Sequence, residues 1–268
     1  MKLAISNIAW SHSRLGYYLA MIRSLGCDGV ELAPSCIWPE PIYASSEERK
    51  YIREIINKNN LQLTGFHALL YTRPDLQLFK DRNNLSNTIR YLQSLSDLCA
   101  ELGGRVLVLG SPSNRSTRGR DYGQCIEWAT EAFFNIAQYS ARREIMFCLE
   151  PLSPNETDFV DSSIAGLDLV KDVNHPNCRL HLDTKSIINS NEDVDYIVTQ
   201  CYPYLEHVHV GDPDLMPPGS TGYDHKKFGE ALRGLGYEKF VSIEMRKENV
   251  VNDSVLAKSI DYVKHCYL

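Results

Sequence analysis

The chain alternates between two hydrophobic periods. Short apolar runs, in which side chains swap faces at every residue, are separated by longer stretches whose apolar positions recur every three or four residues. The strand-like runs are KLAISNI (2–8), GVELA (29–33), LQLTGFHA (61–68), RVLVLG (105–110), IMFCLEP (145–151), RLHLDT (179–184), LEHVHVG (205–211) and FVSIEM (240–245). The helix-like stretches are 14–25, 47–59, 85–102, 122–142, 162–173, 192–202, 225–235 and 253–266. In the third of these, Leu85, Ile89, Leu92, Leu95, Leu98 and Cys99 trace one face. Gly26, Gly103 and Gly236 follow three helices, where a left-handed cap is expected.

Eight such units in 268 residues, with no linker, low-complexity tract or close repeat, predict an α/β fold made of a single (β/α)8 TIM barrel domain over 1–268. A doubly wound open sheet is the structural alternative. The connections 34–46, 68–84, 111–121 and 212–224 are long, and all follow strands. In a barrel they lie together on the C-terminal face, where active sites are built.

Composition excludes more than it selects. Hydrophobic residues make up 43% and charged residues 23%, ordinary for a globular chain. A net charge of −6 argues against nucleic-acid and anionic-membrane partners, which call for a basic face. No apolar run approaches the roughly 18 residues of a membrane span. The start MKLAISNIAW has one lysine and too short an apolar stretch for a secretion signal. The eight cysteines form no CxxC pair, which fits a reduced, cytoplasmic protein better than a disulfide framework.

The chemistry gathers at the ends of the late strands. Strand five ends in Glu150, strand six in Asp183, strand seven in His209 and strand eight in Glu244, each within an apolar β context. One carboxylate at a strand end is most often a cap or a loop charge. Four neighbouring strands delivering such groups at one height would bury three repelling carboxylates, at several kcal/mol per unpaired charge. One divalent metal ion removes that repulsion, and three oxygen donors with one imidazole suit Mn²⁺, Mg²⁺ or Co²⁺ at least as well as Zn²⁺. Within HVHVGD (207–212), period 2 puts His207 and His209 on one face. His209 stands at the mouth. His207 lies roughly 6–7 Å deeper, so it and His181 are expected to support the ligands rather than bind the ion.

The patterns EPLSPNETDFV (150–160), HLDT (181–184), HVHVGD (207–212), PPGSTGYD (217–224) and SIEMR (242–246) resemble the xylose isomerase-like TIM barrel superfamily, as do GVELAP at strand two and VLGSP at strand four. Within it the chain is most similar to the sugar phosphate isomerase/epimerase group, which holds tagatose 3-epimerase-like and inosose-pathway enzymes. The resemblance implies a metal held by Glu150, Asp183, His209 and Glu244, with the two glutamates acting as acid and base on opposite faces of a bound sugar. It also implies that Glu156 holds substrate near the reacting carbons. Two departures set the chain apart from ketohexose 3-epimerases. The histidine expected three residues after Asp183 is Ser186, leaving Lys185 to cover part of its role, and GDPDLMPPG lacks the arginine expected in the strand-seven loop.

Further candidates line the mouth. His67 ends strand three and is a substrate contact by resemblance. Glu31 is an inward charge on strand two, available to substrate or to neighbouring strands. Arg115, with Arg118 and Arg120 in SPSNRSTRGR, offers donors to an anionic substrate group. Trp10 and Trp38 could wall a sugar ring. The expected activity is that of a metal-dependent isomerase or epimerase of a sugar, sugar phosphate or related polyol-ketone. A proton would move between two glutamates through an enediolate, on a small-molecule carbohydrate, and the reading leaves room for a homo-oligomer. An inosose-type dehydratase on the same metal site is the nearest alternative. An apurinic endonuclease-like hydrolase would need a histidine-richer zinc cluster and a basic rim, and a non-catalytic binding barrel is the third class.

Overall fold

Each strand-like run forms one parallel strand of a closed barrel in chain order, β1 (Lys2–Ser6), β2 (Gly29–Leu32), β3 (Gln62–Phe66), β4 (Val106–Leu109), β5 (Met146–Leu149), β6 (Cys178–Asp183), β7 (Leu205–Val210) and β8 (Phe240–Ile243). β8 pairs back onto β1, with Leu3 opposite Val241, and closes the cylinder. The computed structural model describes residues 1–268. The helices α1 (Leu15–Ser24), α2 (Ser46–Lys58), α3 (Arg82–Leu102), α4 (Tyr122–Ala141), α5 (Ser163–Val173), α6 (Thr184–Asn189), α7 (Val194–Cys201), α8 (His225–Gly234) and α9 (Asp253–Tyr267) surround it. This is a (β/α)8 TIM barrel, and the open sheet is excluded because no strand edge is free.

Local chemistry sets where these elements begin and end. Ser45 closes a capping box with Glu48 at the start of α2, and Asp81, Asp121 and Asp193 accept from the free N–H groups opening α3, α4 and α7. Gly103 stops α3 at φ 91°, a left-handed position that glycine adopts without a Cβ penalty. A core of 70 buried residues fills the layer between strands and helices. Val106, Val108 and Cys148 form a small separate cluster on the inward face, Cys148 lying two residues before Glu150.

The structure departs from the expected elements at two kinds of place. One is α6, which starts directly at the end of β6, whereas the sixth helix was expected only from 192. The Asp183 carboxylate accepts the Lys185 N–H and nucleates a turn too short to show an apolar face in sequence. The other is the strand ends. β5 and β8 stop at Leu149 and Ile243, one residue short of the glutamates, yet the Glu150 N–H donates to Leu109 O at 3.1 Å and the Glu244 N–H to Val210 O at 3.0 Å. These last inter-strand bonds pin the backbone of both glutamates.

No helix is long and apolar enough to cross a membrane. All eight cysteines are free, and all but Cys36 are buried. β3 and β4 leave no room for a side chain at Gly65, where a Cβ would overlap the Val106 carbonyl, 2.7 Å from its carbon and 2.8 Å from Val106 N. Backbone cannot give way as a side chain can. Gly65→Ala is therefore expected to lose about 3 kcal/mol of stability, read as a lower urea midpoint at unchanged slope. A midpoint within error of wild type would show that β3 can slide on β4.

Candidate metal centre at the barrel mouth

Parallel strands all point the same way, so the residues at their ends meet on one face. Glu150 follows β5, Asp183 ends β6, His209 lies near the end of β7 and Glu244 follows β8. Asp183 pairs with His209 in register, and His181 with His207 one layer below. All of these are buried except Glu244, whose side chain is 12% exposed.

His209 is the hub. Its ring belongs to each of three groups whose ligand atoms lie within 4.8 Å of one another: with Glu150 and His181, with His67 and Glu244, and with Glu31 and His207. His209 Nδ1 is 3.5 Å from Glu244 Oε2, and its Nε2 is 3.0 Å from Glu31 Oε2. Glu244 Oε1 accepts from His67 Nδ1 at 3.1 Å, which leaves His67 Nε2 to accept the Ser6 hydroxyl at 2.5 Å. Asp183 belongs to none of the three groups. Its Oδ1 accepts from the Lys185 N–H, and its Oδ2 lies 3.6 Å from Lys185 Nζ. His181 comes closer to the hub than expected, with its ring centroid 4.1 Å from that of His209 and neither nitrogen partnered.

The electrostatics describe a site short of positive charge. Burial, then repulsion from Asp183, pushes the Glu150 carboxyl up to about 8. Burial, with Glu244 nearby, also raises Asp183 against the pull of Lys185. Glu244 behaves oppositely: burial works against its charge, but His209 and His67 outweigh it and hold the carboxyl well below the usual range. Burial opposes the His209 charge too, and Glu31 and Glu244 overcome it, keeping the ring protonated well above its ordinary range. Asp183 Oδ2 and His209 Nδ1 are both buried without a hydrogen-bond partner. Asp183 Oδ2, and His209 Nδ1 once the ring gives up its extra proton, offer lone pairs beside a carboxyl that does not stay ionised alone. That set fits a divalent cation, which Glu150, Asp183, His209 and Glu244 could hold.

The other sequence candidates separate clearly. Lys185 Nζ donates to Glu156 Oε1 at 2.9 Å, so the two form a half-buried pair beside Asp183. Asp183, Glu150, Glu244 and Glu156 together outweigh burial and raise the Lys185 ammonium above its ordinary range. Arg115 is only 1% exposed, and its Nη1 donates to the Glu150 main-chain carbonyl at 2.6 Å. That bond makes it a strut beneath the β5 end, while its buried Nε and Nη2 have no hydrogen-bond partner. Arg120 is spent on the Phe79 and Lys80 carbonyls and Arg118 is exposed, so of the three loop arginines Arg115 is the one with buried, unpartnered donors. Trp10 stacks on Tyr18 at 5.1 Å, and Trp38 joins the core. Both are loop packing. A cavity of about 550 Å³ opens at the opposite, N-terminal end, among Lys2, Gln62, Arg105 and Lys239, away from these carboxylates.

Ser6 was not anticipated at all. A serine ending an apolar strand carries no distinctive sequence signal. Because His209 belongs to every ligand group and His207 to one, His209→Asn is expected to empty the site of metal. His207→Asn should weaken binding only about 10–100-fold and leave it filled at high metal. Metal content by plasma emission checks this, and the reverse order of effects would put the register of β7 one layer out.

Residues 19–266 match the family model for xylose isomerase-like TIM barrels. A D-psicose 3-epimerase of Ruminiclostridium cellulolyticum is 26% identical over 232 residues, 85% of this chain and 77% of its own. The crystal structure of D-psicose 3-epimerase with D-tagatose from Clostridium cellulolyticum H10 superposes at a TM-score of 0.84 and 21% identity, over 99% of both chains. That of 3-keto-D-glucoside 4-epimerase from E. coli does so at 0.84 and 17%, over 99% of this chain and 100% of that one. At those identities the structures speak to the fold. With the family match running from inside α1 to inside α9, and eight strands closing in chain order, this chain belongs to the xylose isomerase-like TIM barrel family.

Proposed function

We propose that this chain is a metal-dependent sugar epimerase that inverts a carbon beside the carbonyl of a ketose or keto-sugar. The observation that carries the reading is the pair Glu150 and Glu244, delivered by β5 and β8 to either side of His209. A substrate held between them presents one face to each, so one carboxylate can take the proton and the other return it from the opposite side. Glu244 is oriented by His67. Glu150 lies over Gly110, whose missing side chain leaves its carboxyl room: a Cβ there would stand 3.1 Å from Glu150 Cδ. A divalent cation held by Glu150, Asp183, His209 and Glu244 would supply positive charge to the substrate oxygens as negative charge builds on them.

The named relatives support the substrate class, since they act on ketoses and a keto-glucoside. Glu156, kept ionised by Lys185 against its partial burial, is placed to accept from a sugar hydroxyl. Ser186 and the missing loop arginine point to different handling of the far end of the sugar than in ketohexose epimerases. The donor set suits Mn²⁺, Mg²⁺ or Co²⁺. The free buried thiols favour a reducing compartment such as the cytoplasm.

The test is to incubate Mn²⁺-loaded protein with ketoses and keto-sugars in D₂O and follow deuterium uptake by NMR. Exchange at the carbon next to the carbonyl, with inversion, is the expected result. Loss of water from the sugar would instead mark a dehydratase, and no exchange with any sugar at saturating metal would overturn the epimerase reading.

A further inference from the structure

We infer that Glu31 is a positioning residue for the metal centre: its carboxylate clamps His207 and His209 together and turns His209 Nδ1 toward the cation. This rests on the metal reading above. Glu31 is fully buried on β2, and its two oxygens are divided between two histidines of β7, with Oε1 3.2 Å from His207 Nε2 and Oε2 3.0 Å from His209 Nε2. β8 and β1 lie between these strands in the closed barrel, so the contact spans the interior rather than a strand pair.

An ionised carboxylate only accepts hydrogen bonds, so His209 Nε2 must carry a proton to donate to Glu31 Oε2, whereas His207 Nε2 lies against Oε1 as a close contact without an aligned hydrogen bond. When His209 is neutral, as a metal ligand must be, its lone pair then falls on Nδ1. Nδ1 is the buried, unpartnered nitrogen that faces Glu244. The choice of tautomer and the aim of the ring follow from one carboxylate on the far side of the barrel.

The backbone carries matching irregularities. The β2–β3 register slips by one residue between Val30 and Leu32, at Glu31 itself. The β6–β7 register slips between Leu180 and His181, where His181 is paired with His207. Bulges re-aim side chains locally, and these two adjoin Glu31 and one of its partners.

Glu31→Gln separates this role from simple filling of space. Gln keeps the volume but loses the charge and replaces one oxygen with an NH₂ group, so it cannot present a carboxylate oxygen to both histidines at once. Mn²⁺ affinity by titration calorimetry is expected to fall about 10–100-fold. His207→Asn leaves the Glu31–His209 bond intact, so its loss should lie toward the lower end of that same range and below that of Glu31→Gln. Independently of any variant, ¹⁵N NMR of the Zn²⁺-loaded wild-type protein should show His209 protonated at Nε2 and bound through Nδ1. A Glu31→Gln protein that binds Mn²⁺ within twofold of wild type overturns the inference while leaving the metal reading intact. So does binding through Nε2, or a second ion per chain held by Glu31 and His207. Wild-type protein that takes up no divalent ion overturns both.

Discussion

Glu150→Gln and Glu244→Gln are each expected to leave a folded protein that turns over substrate 10²–10⁴-fold more slowly, the usual worth of a positioned general base or acid. Gln matches the size of Glu and keeps one oxygen for a metal, but it can neither accept nor return a proton. The two variants should differ in stability even though both lose activity. Glu150, pushed up to about 8 by burial and Asp183, holds a proton at neutral pH without metal, so a neutral amide there costs the metal-free fold little. Glu244 is ionised and pairs with His67 and His209, so its replacement breaks two contacts and should lower the melting temperature. Rates must be taken at saturating metal, so that weaker binding is not read as lost proton transfer. Solvent deuterium incorporation should vanish together with turnover. A variant that keeps near-wild-type activity with its metal bound would reduce that glutamate to a ligand and end the two-glutamate mechanism.

Metal affinity should rise steeply with pH. Below about 8 the Glu150 carboxyl keeps its proton in the folded, metal-free protein, and His209 keeps its extra proton as well. A cation must displace both, because only a carboxylate and a neutral imidazole bind it. For one proton released the affinity changes about tenfold per pH unit, so binding at pH 6 should be at least about 100-fold weaker than at pH 8. The sign for the metal-free protein is opposite. A carboxyl with a raised value binds more protons folded than unfolded, so the Glu150 contribution to stability is fully present at low pH. It is lost as pH climbs from the ordinary glutamate range through about 8. The rise in melting temperature produced by a set concentration of free Mn²⁺ should therefore grow between pH 6 and 8.5. Calorimetry in buffers of different ionisation enthalpy counts the protons. Affinity independent of pH over this range would show that the carboxylates are ionised without a cation.

Much of this molecule can be read from residues close together in sequence. Alternation of two periods within about ten residues was enough to call eight strands, the helices that follow them and a closed barrel. Period 2 also sorted inward from outward positions, which placed His207 a layer below His209 and brought Glu150, Asp183, His209 and Glu244 to strand ends on one face. The short helix α6 escaped because six residues cannot display a helical face.

The partners of the buried charges were decided only by closure of the barrel. Glu31 meets His209 across 178 residues of chain, Arg115 reaches the Glu150 carbonyl across 35, and Lys185 reaches Glu156 across 29. Arg115 thus shows in the sequence only as a loop cation, and Glu31 as an inward charge without a destination. Secondary structure follows from local backbone and side-chain periodicity, which each segment carries with it. A buried charge is instead satisfied by whatever the curvature, bulges and register of eight strands bring within 3 Å or so, and no local pattern encodes that distance.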